Sequence, residues 1–143
     1  MYRRALAIDE ASFGSDHPKV AIRLNNLALL LQATKRLAEA ELSMRRAMEI
    51  DEKVFGPDHP NVAIGLINLA QLLQGSKRLT EAEPLVRKAI WILLAFSQKN
   101  GYEHPYMQAI FRCYADLLVT MGHSQADSIA EIRALIQAHR LRS

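Results

Sequence analysis

Apolar residues recur along this chain with a helical period, interrupted at regular intervals by short polar turns. Val62, Leu66, Leu69, Ala70, Leu72 and Leu73 fall on one helical face. Ala82, Leu85, Val86, Ala89 and Ile90 form a second such stripe after a break at Gly75-Ser76. Pro60 stands in the first turn of the earlier helix, where its fixed φ suits the helix and its missing N–H costs nothing. Asp58 or His59 is then the capping residue. Gly75 suits the left-handed position that closes a helix. Thr80 suits the N-cap of the next, with Glu81 and Glu83 following in its first turns. Pro84 is tolerated there if that helix begins close to Thr80. Glu41 to Arg45 and Glu83 to Arg87 are spaced i,i+4 with the acid first, the favourable order.

The pattern repeats. Phe13-Gly14-Ser15-Asp16-His17-Pro18 returns as Phe55-Gly56-Pro57-Asp58-His59-Pro60, an offset of 42 residues. Arg3-Arg4-Ala5, Arg45-Arg46-Ala47 and Arg87-Lys88-Ala89 keep that offset. A fixed period of this length marks a stacked array of helix pairs. One repeat domain over 1–143 follows, with units at 17–56, 59–101 and 104–141. The third unit starts at His104-Pro105, 45 residues after His59-Pro60, so three residues are added near Gln98 to Gly101 and the preceding helix is longer. Residues 1–14 align with the second helix of a unit and lack the first. They are either the edge of a longer array or an end cap. The last helix, from Ser124 to about Arg140, is the most polar and suits a terminal cap.

Composition narrows the class. Half of the residues are apolar, with six glycines and five prolines, so long unstructured linkers are not expected. Cys113 is the single cysteine, which leaves no disulfide framework and points to a reducing, cytoplasmic setting. The longest apolar run, Ala89 to Phe96, is far shorter than the roughly 20 residues that span a bilayer. A net charge of +3 with interleaved signs argues against a nucleic-acid surface. No cofactor is implied, and no cluster of residues suggests catalysis.

Small residues Ala28, Ala40 and Ala47, then Ala70, Ala82 and Ala89, are spaced 12 and 7 apart in successive units. With this signature the chain resembles tetratricopeptide repeats. The 42-residue period, the Gly-x-Asp-His-Pro turns, and Leu24-Asn25-Asn26-Leu27-Ala28 with Leu66-Ile67-Asn68-Leu69-Ala70 are similar to the kinesin-light-chain type of that family. The third unit departs from the pattern: Cys113 replaces the asparagine and Asp127 falls where an alanine is expected, with Ala126 a candidate to fill the role. The resemblance implies an all-α, right-handed superhelix of antiparallel helix pairs. The first helix of each pair would line a concave groove that takes a peptide or helix from a protein partner.

Asn26 and Asn68 match the family's groove asparagine. An amide side chain both donates and accepts, so the two could grip a partner backbone, or equally tie neighbouring helices together. Helical spacing puts Asn25, Gln32, Gln71, Gln74, Arg112 and Asp116 on the same face. Lysine is too scarce on these helices for a clamp on a C-terminal carboxylate. His17, His59 and His104 repeat, but equivalent atoms of stacked units lie on the order of 10 Å apart, too far to share one metal ion. They are expected to bond free N–H groups at helix starts. The arginine rows have acidic neighbours and are expected to form a solvated, salt-bridged outer face. Trp91 is either buried by the extended helix or part of an apolar patch for a second copy. The alternative function is therefore a structural segment that self-associates through its terminal helices or the Trp91 region.

Overall fold

The computed structural model describes residues 17–142, together with Arg4, Ala7, Ile8 and Ala11. The expected leading helix over 1–14 otherwise lies outside the described residues; those four are helical. Six helices follow: α1 Pro18–Ala33, α2 Leu37–Phe55, α3 Pro60–Gly75, α4 Leu79–Asn100, α5 Met107–Thr120 and α6 Gln125–Arg142. No strand occurs among the described residues. α1 packs on α2, α3 on α4 and α5 on α6, while α2–α3 and α4–α5 contacts join the pairs into an all-α solenoid. α6 also touches α4.

The six signature alanines lie in the packed core between helices. Ala28, Ala40, Ala47, Ala70, Ala82 and Ala89 are all buried. A larger side chain would push the helix axes apart, and close-packed interiors resist that. One core runs from Leu27 on α1 to Leu118 on α5. A second, made of Val20, Ala21, Leu24, Ala47 and Ile50, holds α1 to α2.

The helix starts are set by histidine. The Nδ1 atoms of His17 and His59 accept the backbone N–H groups of Lys19 and Asn61, at 3.1 and 3.0 Å. His59, not Asp58, is thus the cap of α3. His104 accepts from Tyr106 N–H at 3.1 Å in the same way, but α5 begins only at Met107, later than the His-Pro pattern predicts.

The helix ends correct the sequence reading at two positions. Gly75 is the last residue of α3 and is not left-handed; Lys77 is, at φ 61°, and Lys35 repeats it at φ 62°. Arg78 N–H bonds back to Leu73 O, and Lys77 N–H to Gln74 O. This pair of bonds satisfies the terminal carbonyls and requires a left-handed residue at position 77. Arg36 with Leu31, and His123 with Leu118, repeat the motif, and Gly122 takes the left-handed place at φ 102°. Because Arg78 already sits in that closure, its carbonyl also opens α4 by accepting from Ala82 N–H. Arg78 is therefore the N-cap and Thr80 lies inside the helix. Pro84 is the sixth helical residue, exposed to solvent.

The third unit holds one more correction. Four residues separate α5 from α6, against three between α3 and α4. This extra residue shifts the register, so Ser128 is buried at the close contact while Ala126 and Asp127 are exposed. The Ser128 hydroxyl donates to Ser124 O, and Ser124 Oγ accepts Asp127 N–H to cap α6. The added residues before unit three lengthen α4 to 22 residues against 19 for α2. Trp91 on that helix is half-buried, with its ring 4.8 Å from that of His139 on α6.

Candidate functional site

The expected ion pairs form on the second helices. Arg45 lies 3.8 Å from Glu41, and Arg87 pairs with Glu83. Glu41 also receives Arg78 from the next unit at 2.5 Å, so it bridges α2 and α4. Arg78 is held further by Glu81, and its guanidinium is driven still higher than usual in pKa by these carboxylates. The buried Tyr114 hydroxyl donates to Glu83 at 2.7 Å and ties α5 to α4. Burial first, then this bond, push its phenol up to about 12.

The first helices line two neighbouring depressions. One, of about 310 Å³, lies between α3 and α5 and is walled by Ile64, Ile67, Ile110, Ala109 and Tyr106, with Asn68, Gln71 and Cys113 supplying polar atoms. The other, of about 350 Å³, lies between α1 and α3 over the end of α2. Its lining is Pro18, Ile22, Asn25, Phe55, Asn61 and Ile64, with the Asp51 carboxyl among them. Ile64 is a wall of both, so the two lie side by side along the first-helix face. Neither lining contains a lysine or arginine.

Of the residues expected on this face, Asn68 and Gln71 share the first cavity and Asn25 lines the second. Asn26, Gln32, Gln74, Arg112 and Asp116 lie outside both linings. Asn26, Gln32 and Gln74 are half-buried, whereas Arg112 and Asp116 are exposed. Cys113 is half-buried; burial raises its thiol pKa above the usual range, opposed in part by a hydrogen bond with Gln71 and reinforced by the Asp116 charge. A thiol held protonated is a poor nucleophile.

Sequence reasoning missed the apolar walls and Asp51. Ile22 is 60 % exposed, off the buried stripe of α1, yet its identity recurs 42 residues later as Ile64. An isoleucine repeated at a position the core does not need was a readable signal. For Asp51 the signal was its alignment with Leu93, a fully buried apolar residue. Among the described residues no three His, Cys, Asp or Glu side chains gather to hold a metal ion. No described helix is long and apolar enough to cross a membrane.

The family model for tetratricopeptide repeats matches residues 1–53 and 24–95. The chain belongs to the tetratricopeptide-repeat family. Repeats of this family generally mediate protein–protein interaction and are typically non-catalytic. No curated protein matches the chain. The first-helix face carries both apolar walls and side-chain amide groups in each of its two depressions.

Proposed function

We propose that this chain is a kinesin-light-chain-type repeat module that binds a segment of a partner protein in its first-helix channel. The observation that carries the reading is the pair of neighbouring cavities that share Ile64, with Asn25, Asn68 and Gln71 on their walls. Isoleucine walls remove apolar side chains from water, and amide groups satisfy the polar atoms of a main chain. Array surfaces of this kind suit an elongated ligand, since each unit offers a similar rung. The units 17–56, 59–101 and 104–141 act as one repeat domain, and a reducing, cytoplasmic setting fits the single thiol of Cys113. Binding of a diverse peptide library to the chain, beside an Asn26→Ala/Asn68→Ala version, tests this. Peptides that bind the first and lose affinity for the second, with helicity intact, support the reading. Absence of any peptide binding counts against it.

A second reading, self-association through the leading segment, has one observation in its favour. Ile8 is 58 % exposed, whereas Ile50 and Ile92, at the same repeat position, are 2 % and 3 % exposed. Light scattering over a range of concentrations, with Ile8→Lys alongside, separates a dimer that the variant dissolves from a concentration-independent monomer. The Trp91 region fits this reading less well because His139 packs on it.

A further inference from the structure

Asp51 is the one acidic side chain among the buried residues of the described chain, at 8 % exposure. Among the described residues no fully buried side-chain oxygen or nitrogen lacks a hydrogen-bond partner, so the carboxyl oxygens of Asp51 keep an edge to solvent; its electrostatic neighbour is His59. Stacking accepts more than one residue type here: at the same repeat position the preceding unit has Asp9 and the next has Leu93, the latter at 0 % exposure. Burial raises the Asp51 pKa, and a carboxyl so placed in a cleft is a candidate for a functional role.

Its surroundings say what would complete it. Asp51 lines the cavity of about 350 Å³ between α1 and α3, walled by Ile22, Ile64 and Phe55, with Asn25 and Asn61 alongside. One carboxylate at the base of an apolar, aromatic-edged depression matches a long aliphatic stem ending in a positive charge. It does not match a free divalent cation, which takes six or more oxygen ligands or keeps several waters. No lysine or arginine of the lining supplies the missing charge. Phe55 stacks on His59 with ring centroids 4.6 Å apart, which places an aromatic wall beside the opening. A guanidinium or ammonium near such a ring gains further attraction.

We propose that this cavity is a socket for one lysine or arginine side chain of the bound partner, with Asp51 as its counter-ion. The inference builds on the channel as the binding surface and assigns it a preference: a basic residue over the α1–α3 cavity, followed by uncharged residues over the α3–α5 cavity, whose lining carries no charged side chain.

The test reads the socket without any partner peptide. N-acetyl-arginine N-methylamide and its uncharged citrulline counterpart are titrated into the full chain, and the methyl resonances of Ile22 and Ile64 are followed by NMR. The expected result is saturable shifts with the arginine compound and at least tenfold weaker binding of the citrulline compound. Asp51→Asn should weaken the arginine compound at least tenfold while helicity is unchanged. Asp51→Leu, which places the Leu93 side-chain type at this position, provides a second variant with the same expectation should the first fold poorly. Equal shifts with both compounds, no shift with either, or arginine binding that survives both substitutions would overturn the socket. Failure of the peptide library alone would instead count against the channel as a peptide groove.

Discussion

Replacing Asp51 with leucine should make the protein more stable. The residue is only 8 % exposed and burial raises its carboxyl pKa, while leucine is accommodated at the equivalent position 93 without exposure. The full penalty for burying an ion is several kcal/mol, but the adjoining cavity admits solvent, so a residual cost of about 1 kcal/mol is the appropriate share. Burying the leucine side chain in place of the carboxyl adds about 1 kcal/mol more, below the ~1.5–3 kcal/mol of a full transfer because part of it faces the cavity. The expected gain is about 2 kcal/mol, or a Tm rise of roughly 5–10 °C for a chain of this size. Asp51→Asn removes the charge but keeps a polar group, so its gain should be smaller. Burial raises the Asp51 pKa, and the His59 charge lowers it in part. A carboxyl with a raised folded pKa holds its proton more tightly in the folded state. Stability is thus greatest below the unfolded value and falls as pH rises through the folded one. Urea unfolding followed by circular dichroism, at neutral pH and at a pH below the ordinary carboxylate range, measures both effects. Relative to the parent, Asp51→Leu should gain most at neutral pH and least in acid. A loss of more than about 1 kcal/mol at neutral pH would refute the idea that the acid is retained against the interest of the fold.

Three further outcomes follow from the packing. Gly65→Ala should stabilise by about 1 kcal/mol, the ordinary glycine penalty within a helix, because the added Cβ would meet Met48 at 3.6 Å, an ordinary contact; thermal unfolding checks it. Lys77→Gly should gain up to about 0.5 kcal/mol by relieving the left-handed backbone, less than the strain itself because glycine loosens the unfolded chain, while Gly122→Ala should cost about 1 kcal/mol; paired denaturation curves compare them. Tyr114→Phe should cost about 1–2 kcal/mol by removing a bond to a carboxylate. Since the Tyr114 phenol is raised from 10.0 to about 12, the stability it contributes is complete below pH 10 and is lost as pH rises towards 12; an alkaline unfolding series should show this limb in the parent and not in the variant.

The architecture was legible in the sequence because stacking leaves a period. The alanines at 28, 40, 47, 70, 82 and 89 could be identified as contact residues because their spacing resembles the small-residue signature of tetratricopeptide repeats, and all are buried. The histidine turns were legible too, since an imidazole beside proline has few other tasks in a helix start. Helix closures were not, because the usual glycine signal is absent where Lys35 and Lys77 take the left-handed place. Ser128 was hidden by a one-residue change in loop length, which moves every later register position. The candidate site was legible only in part. Helical spacing put eight polar residues on one face, but a cavity depends on how neighbouring helices splay, and that gathered only Asn25, Asn68 and Gln71. Asp51 escaped notice because it belongs to a second helix, and only the stacking of α1 and α3 over the end of α2 brings it to the channel.

The central claim, that the first-helix channel is the working surface, is tested most directly by locating where a selected peptide binds. Peptides recovered from a diverse library would be titrated into the isotopically labelled chain, and the side-chain amide signals of Asn25, Asn68 and Gln71 followed with the methyls of Ile64 and Ile67. The account predicts that these signals shift together and saturate, and that Asn68→Ala/Gln71→Ala weakens binding at least tenfold with helicity unchanged. Shifts confined to the outer face around Arg45 and Arg87, with affinity indifferent to the channel substitutions, would contradict it.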